Sequence, residues 1–250
     1  MIELAGISWQ LLAVLAAAAF AGSVVFGLTG FGAALITIPL ATHFVPLPFA
    51  LALYALMDLG NAFRIGFESP RNAVRAEWVR LVPMIVVGTA LGVTLLVNLP
   101  RRWGMLALGV FVLAYALYAL LRPEARATVG RGWAWVAGFA GGLTSTLFGA
   151  GGPPYAIYLS QRGLSKAQFR ATLGFATLTS ISLRVVAFLL SGILLDWGVW
   201  LALLIVLPAA WVGLSLARRL FHRISRELLL RAVSGVLVLS GASLVLRALG

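Results

Sequence analysis

Long uncharged apolar runs recur along the whole chain and constrain its fold more than any other feature. Ala16–Phe31 and Leu106–Leu121 contain no charged side chain. Of the 250 residues, 62% are hydrophobic and 10% are charged, whereas soluble domains carry about 25% charged residues. Because lipid offers the backbone no hydrogen bonds, only helices and closed barrels cross a bilayer. The runs lack the alternation of barrel strands, so the sequence predicts an all-α, polytopic transmembrane bundle.

Polar or basic stretches divide the apolar runs into ten segments. A helix that crosses the hydrocarbon core needs about 20 residues, so the second and seventh segments are short. We expect these two to be re-entrant or broken helices. The segments are 7–28, 33–48, 49–67, 79–98, 103–121, 133–148, 154–161, 169–191, 197–216 and 228–248.

Basic residues concentrate on alternate connections between the segments. If each segment crosses the membrane, the starting side receives only Arg101, Arg102 and Arg247. Because cytoplasmic loops carry the excess of Lys and Arg, we expect both termini to lie outside a bacterial inner membrane. This orientation also explains the net charge of +12, and we expect no nucleic-acid partner. The basic residues on the other side are Arg71, Arg75, Arg122, Arg126, Arg131, Arg162, Lys166, Arg218, Arg219, Arg223 and Arg226.

Two glycine-rich blocks indicate an internal repeat. Ala21–Pro39 and Ala140–Tyr158 align at an offset of 119 residues, with glycines matching glycines. Each block opens a half of about five segments. Since five is odd, the halves must have opposite orientations, as in many secondary transporters. We therefore expect two inverted-repeat halves, 1–121 and 133–250, joined by the basic cytoplasmic linker 122–132.

Each glycine block interrupts an apolar run and predicts a helix break followed by a new helix. The N-terminus of a helix carries free N–H groups and a partial positive charge, and therefore favours anions. Two such ends would form an anion site near the middle of the bilayer. The alternative is that the glycines only permit close helix packing. The predicted substrate-binding residues of the two blocks are Thr29, Gly30, Phe31, Gly32, Gly149, Gly151, Gly152 and Pro153.

The two blocks resemble those of the TauE/SafE family of membrane transporters, the sulfite exporters. The family pattern is a G-x-G-G-G stretch followed by apolar residues and a proline. Gly30-Phe31-Gly32 with Pro39 is similar to the first copy, and Gly149-Ala150-Gly151-Gly152 to the second. Ala33 and Tyr158 depart from the pattern. The resemblance implies export of a small sulfur-containing or carboxylate anion and leaves the choice between them open.

Ionisable residues inside two of the segments are further candidates for the site. Asp58, Asn61 and Arg64 lie near one side of the third segment, and Thr177, Ser180 and Arg184 share a face of the eighth. A guanidinium in lipid costs at least ~2.5 kcal/mol and usually marks a functional site, and its planar fork suits oxyanions. We expect the two arginines, the asparagine and the serine to contact substrate. The aspartate is the candidate for proton coupling, with a purely structural pairing or snorkelling of Arg64 as alternatives.

These features predict a secondary transporter that exports a small anion by alternating access of two halves. The first alternative is an anion channel, and the second, less favoured by the sequence, is a non-transporting membrane scaffold. The chain has no cysteine and two histidines, and it lacks the H-E-x-x-H and G-x-S-x-G motifs. We therefore expect no enzyme activity, no cofactor and no metal. The expected partners are the small anionic substrate and the lipid bilayer, and the oligomeric state, a homodimer included, stays open.

Overall fold

Almost every described residue of this protein is helical. The computed structural model describes residues 3–4, 7–29, 33–66, 70–121, 129–220, 235, 237–239, 241–246 and 248. The predicted site residues Gly30, Phe31 and Gly32 lie outside these ranges. An antiparallel pair of two-residue strands, β1 (Glu3–Leu4) and β2 (Ile7–Ser8), precedes the first helix. The predicted all-α membrane class is confirmed.

Besides two three-residue 3₁₀ helices, Pro70–Asn72 and Ile193–Leu195, nine α-helices follow in the described part of the chain up to residue 220. Four of them are long and apolar enough to cross a membrane, over Trp9–Leu28, Arg75–Asn98, Lys166–Leu190 and Trp197–Ala217. The helices are α1 (Trp9–Thr29), α2 (Ala33–Ala41), α3 (Leu47–Gly66), α4 (Arg75–Asn98), α5 (Arg101–Leu121), α6 (Trp133–Phe148), α7 (Gly152–Ser160), α8 (Lys166–Leu190) and α9 (Trp197–Leu220).

Helices α4 and α8 begin before their predicted apolar segments. Hydropathy marks only the part of a helix that lies in hydrocarbon, whereas a polar first turn continues the helix outside it. At α8 the first turn is held by a capping box. Ser165 Oγ accepts a hydrogen bond from Gln168 N at 3.2 Å, and Gln168 Oε1 accepts one from Ser165 N at 3.1 Å.

The helices pack as two lobes. The first lobe contains α1, α2, α3 and α9, and the second contains α4, α6, α7 and α8. Small residues bring the central helices of each lobe together, as in other membrane proteins. A Cβ added to Gly27 of α1 would lie 2.5 Å from Ala217 Cβ of α9. A Cβ added to Gly138 of α6 would lie 2.6 Å from the Leu81 carbonyl oxygen of α4.

Helices α3 and α8 pack side by side and form the main contact between the lobes. Helix α5 contacts both lobes: it touches α2 and α3 of the first, and its Phe111 ring stacks on Phe148 of α6 with centroids 4.9 Å apart. The described residues of 237–246 pack along α5, and a Cβ on Gly109 would lie 2.8 Å from Val245 Cγ2. The contact between α3 and α8 is buried, since Asp58 of α3 and Arg184 of α8 are both inaccessible to solvent.

Candidate functional site

A buried ion pair joins the two lobes at the contact between α3 and α8. Arg184 of α8 is 0% exposed and Asp58 of α3 is 3% exposed. Arg184 Nη2 donates to Asp58 Oδ2 at 3.2 Å, and Arg184 Nη1 donates to the carbonyl oxygen of Ser145 at 2.9 Å. Removing a charge from water is costly, and pairing offsets only part of that cost. A guanidinium retained at such a place in a membrane protein usually serves a function.

Helix α6 ends beside this pair in a left-handed residue. Gly149 has φ 71°, a conformation that glycine adopts without strain. Its N–H and that of Ala150 donate to the carbonyl oxygens of Ser145 and Thr144 at 2.9 Å and 3.1 Å. A Cβ at Gly149 would lie 2.6 Å from Ala34 Cβ of α2 and 3.1 Å from Arg184 Nη1. The break brings the backbone of α6 close to both α2 and the guanidinium.

Helix α7 starts at this break with Gly152. Of the four N–H positions that a helix leaves free at its start, two belong to Pro153 and Pro154 and carry no hydrogen. The donors that remain are the N–H groups of Gly151, the N-cap residue, and Gly152, because the N–H of Tyr155 forms the first hydrogen bond of the helix. This N-terminus therefore offers an anion a partial positive charge with few backbone donors, and side chains must supply the other contacts.

A small cavity lies between the ion pair and the start of α7. Its volume is about 20 Å³, which is close to the space that one water molecule needs. Three of the predicted glycines line it together with Asp58 and Ser180. The cavity walls contain Phe26, Ala33, Ala34, Asp58, Ser145, Gly149, Ala150, Gly151, Gly152, Tyr155, Thr177, Ser180 and Ile181.

Several buried polar atoms at the site have no hydrogen-bond partner among the described residues. Asp58 Oδ1 and Thr177 Oγ1 belong to residues of the cavity wall. Arg184 Nε and Asn61 Oδ1 belong to residues that lie next to the cavity without lining it, and Arg184 contacts the wall through Asp58 and Ser145. Buried polar groups are nearly always paired, and each unpaired one costs about 1–3 kcal/mol. Donors and acceptors left over around one cavity are the arrangement expected of a site for a polar ligand.

The remaining predicted residues lie around the site at different distances. Asn61 is buried and donates from Nδ2 to Ser23 Oγ at 2.9 Å, so it lies next to the cavity without lining it. Pro153 is buried in the first turn of α7. Thr29 is the last residue of α1. Arg64 is exposed, and its Nη2 lies 3.4 Å from Ser215 Oγ of α9, away from the cavity.

Two residues that our sequence analysis did not place in the site, Tyr155 and Thr177, line the cavity. Tyr155 is fully buried and donates from its hydroxyl to Ser180 Oγ at 3.0 Å. The absence of a side chain at Gly141 makes room for the Tyr155 ring. A polar aromatic residue directly after two prolines was the available signal. Thr177 lies seven residues before Arg184, so the helical period places both on one face of α8.

The described residues contain no group of three or more His, Cys, Asp or Glu side chains that could hold a metal ion. The site therefore consists of one ion pair, hydroxyl groups and the interrupted backbone between α6 and α7. This chemistry suits the binding of a small polar anion.

Comparison with known proteins agrees with this chemistry. The profile of the family described as "Sulfite exporter TauE/SafE" matches residues 14–244. The chain is 27% identical over 239 residues to the probable sulfite/organosulfonate exporter TauE of Cupriavidus necator, covering 92% of this chain and 91% of that protein. It is also 27% identical over 165 residues to the probable inner membrane transporter protein TsaS of Comamonas testosteroni, covering 66% of this chain and 69% of that protein. No solved structure matches the chain. The chain belongs to the sulfite exporter TauE/SafE family of membrane transporters.

Proposed function

We propose that this protein exports sulfite or a small organosulfonate across the bacterial inner membrane, and that the anion binds in the cavity between α3, α8 and the start of α7. The observation that carries the proposal is the fully buried Arg184, whose Nε has no partner among the described residues. A sulfonate or sulfite presents oxygens that the planar guanidinium binds well. Thr177, Ser180 and Tyr155 supply hydroxyl groups beside it.

The substrate class rests on the family and on the relative from C. necator, whose name gives sulfite and organosulfonates. Small carboxylates present a similar pair of oxygens to a guanidinium and are the other candidates. We leave Arg64 out of the proposed site because it is exposed beside Ser215 of α9, whereas Arg184 bonds directly to Asp58 and Ser145 of the cavity wall. Gly30, Phe31, Gly32 and Thr29 stay in the proposal as the predicted first glycine block.

We further propose that Asp58 couples transport to protons. An ionised Asp58 neutralises Arg184, because the two side chains are only 3.2 Å apart. A proton on Asp58 removes its negative charge, so Asp58 no longer competes with the anion for the guanidinium charge of Arg184. The substrate and the proton would then be bound by one pair of side chains.

Two inverted halves, 1–121 and 133–250, joined by the linker 122–132, are the architecture that we propose for alternating access. Helices α2 and α7 begin 119 residues apart, as do α3 and α8. The packing repeats in the same way. Helix α1 packs on α9 as α6 packs on α4, and α3 contacts α9 as α8 contacts α4. This pairing supports opposed halves, and the termini would both lie outside.

The small volume of the cavity favours a carrier over a channel. A site of about 20 Å³ walled by Phe26, Tyr155 and Ile181 is narrower than a continuous aqueous path requires. A carrier passes through a constricted state during each cycle. Saturable uptake with counterflow of unlabelled substrate would therefore support the carrier, and flux that stays linear with concentration would favour the channel.

The test of the site is transport by reconstituted protein. Labelled sulfite and a short organosulfonate are offered to proteoliposomes that contain wild type, Arg184→Lys, Arg184→Gln or, as a matched control, Arg71→Gln. Arg71 is exposed in the 3₁₀ helix Pro70–Asn72, which precedes α4. We expect the glutamine variant at residue 184 to lose roughly a hundredfold in uptake, since truncating a buried charge partner costs about 2–5 kcal/mol. Uptake by this variant at the rate of the control would refute the site.

The coupling proposal has its own measurement. Wild-type uptake is expected to respond to an imposed pH gradient, whereas Asp58→Asn is expected to give uptake that no longer depends on the gradient. The amide keeps the shape of the side chain and cannot release a proton. A gradient response that survives in Asp58→Asn would place the coupling elsewhere and leave the anion site untouched.

A further inference from the structure

A large groove on the outside of the bundle remains unexplained by anion transport. It lies between α1 and α9, on the surface of the first lobe, and has a volume of about 560 Å³. Helix α9 contains Pro208 at this groove, and a proline inside a helix removes one backbone hydrogen bond and bends the axis. The groove is far larger than the small cavity beside Asp58.

The walls of the groove are apolar along most of their length. They include Phe20, Trp211, Val212 and Leu216. Trp211 is 46% exposed and Val212 is 61% exposed. In a membrane protein such a surface faces the acyl chains of the lipids.

One end of the groove is basic. Arg219 lies in its wall, one helical turn after Ser215 on the same face of α9. Arg64 of α3 reaches the same place, with its Nη2 at 3.4 Å from Ser215 Oγ. Both arginines are exposed, and no carboxylate among the described residues forms an ion pair with either of them. Two guanidinium groups without an ion-pair partner in the described part of the chain, and the Ser215 hydroxyl, therefore lie at the end of an apolar groove.

We propose that this groove, lined by Phe20, Trp211, Val212 and Leu216 and ending at Arg64, Ser215 and Arg219, binds an anionic phospholipid. The phosphate would lie between the two arginines, whose forks suit phosphate oxygens, and an acyl chain would follow the apolar wall. Basic pockets between transmembrane helices on the cytoplasmic side recognise anionic head groups in this way. The charge distribution predicts that this end of the bundle is cytoplasmic.

The proposal gives Arg64 a role that differs from substrate binding. It also gives a role to Trp211, whose half-exposed ring would pack against the acyl chain. A second copy of the chain is the competing occupant, but the two guanidinium groups would then need acidic partners. The chain has only seven acidic residues against 19 basic ones, so complementary charge is scarce on a second copy.

Native mass spectrometry of the detergent-solubilised protein tests the head-group part. Phosphatidylglycerol and phosphatidylcholine with identical acyl chains are added to wild type, to Arg64→Gln/Arg219→Gln and to the control Arg71→Gln/Arg75→Gln. The control has the same loss of charge at two other exposed arginines. We expect wild type and control to retain phosphatidylglycerol in preference, and the preference to fall on the order of tenfold in the groove variant. Equal retention of both lipids by wild type, or an equal loss of preference in the control, would overturn the proposal.

A second measurement tests the apolar part without altering an arginine. Phosphatidylglycerol brominated on its acyl chains quenches tryptophan fluorescence on contact. The quenching is expected to be smaller in Trp211→Phe than in wild type, with the lost part saturating at low lipid concentration. Quenching that is unchanged by Trp211→Phe would contradict the proposal. The appearance of a dimer that excludes added phosphatidylglycerol would contradict it in favour of a second copy.

Discussion

At the scale of single residues, the main polar feature of the protein interior is the ion pair between Asp58 and Arg184. Each charged group is buried, and each retains one polar atom without a partner in the described chain. A pair that only stabilised the fold would be expected to satisfy its hydrogen bonds. The incomplete pairing is the physical reason to assign the pair to ligand binding.

The ion pair between Asp58 and Arg184 also leads to a prediction about the free energy of unfolding. Arg184→Gln leaves a buried carboxylate without its counter-charge, and breaking a buried pair in this way costs about 3–5 kcal/mol. The double variant Asp58→Asn/Arg184→Gln removes both charges and is expected to recover most of that loss. Thermal unfolding in detergent measures both. A double variant that is no more stable than the single one would mean that Asp58 is already neutral in the folded protein.

The different roles of Arg64 and Arg184 could not be predicted from the sequence. Arg64 and Arg184 both follow polar residues in apolar segments, and their sequence patterns predict similar roles. The structure places one on the surface beside Ser215 and the other at 0% exposure. The difference arises because α8 lies between α3, α4 and α6, whereas the end of α3 is at the surface. Such a difference depends on tertiary packing, which local periodicity does not record.

At the scale of elements, the interrupted helices were the predictable part. The glycine and proline positions predict a break before 152, and α7 begins at Gly152 after the left-handed Gly149. The short second segment corresponds to α2, which ends at Ala41. The polar first turns of α4 and α8 were missed, because they lie outside the apolar runs that define the segments.

One element-level feature that the sequence did not predict is a polar cluster at the start of α4. Glu77 is 6% exposed. Its Oε1 accepts from Arg162 Nη2 at 3.1 Å, its Oε2 accepts from Arg162 Nε at 3.3 Å, and the Tyr158 hydroxyl donates to Oε2. Arg162 Nη1 also donates to the Val129 carbonyl oxygen at 2.6 Å. The hydrogen bond to Glu77 raises the pKa of Arg162. The cluster joins the start of α4, the end of α7 and the residues before α6.

The cluster predicts unequal effects for two arginines that contact the same carboxylate. Arg162 is 16% exposed and forms two bonds to Glu77, whereas Arg80 is 34% exposed and pairs with Glu77 only one turn away. We expect Arg162→Gln to cost about 1–3 kcal/mol of unfolding free energy and Arg80→Gln less than about 1 kcal/mol. A double-mutant cycle of Glu77→Gln with each arginine measures the two couplings. Equal couplings would refute the special role of Arg162.

At the scale of the whole molecule, the predicted halves and the observed lobes divide the chain differently. Helix α4 belongs by sequence to the half 1–121, yet it packs on α6 of the other half, and α9 packs on α1. The two-half division stays a prediction, since exchange of one helix between halves is compatible with an inverted repeat. No local signal in the sequence announces this exchange, because it depends on glycine contacts between distant segments such as Gly138 with Leu81. If transport proceeds by relative movement, the lobes are the bodies that move.

Movement of the two lobes can be tested with engineered disulfides, because the chain contains no native cysteine. In Ala34→Cys/Gly149→Cys the new side chains join the two lobes, because a Cβ at residue 149 would lie 2.6 Å from that of Ala34. In Gly27→Cys/Ala217→Cys the corresponding distance is 2.5 Å, and both residues belong to the first lobe. A disulfide needs Cβ atoms about 3.8 Å apart, so each pair requires a similar small outward adjustment. Since the chain has no native cysteine, each variant has one possible intramolecular disulfide.

Oxidation should therefore affect the two variants differently. We expect the bond between residues 34 and 149 to stop transport in proteoliposomes and reduction to restore it, because alternating access requires the lobes to separate around Arg184. The bond between residues 27 and 217 should leave transport largely intact, because α1 and α9 move together. Each protein is compared with itself in the oxidised and reduced states, which removes the strain of a side chain at the left-handed Gly149 from the comparison. Transport through the oxidised 34–149 variant at its reduced rate would show that the lobes need not move apart, and the channel would then become the better account of this protein.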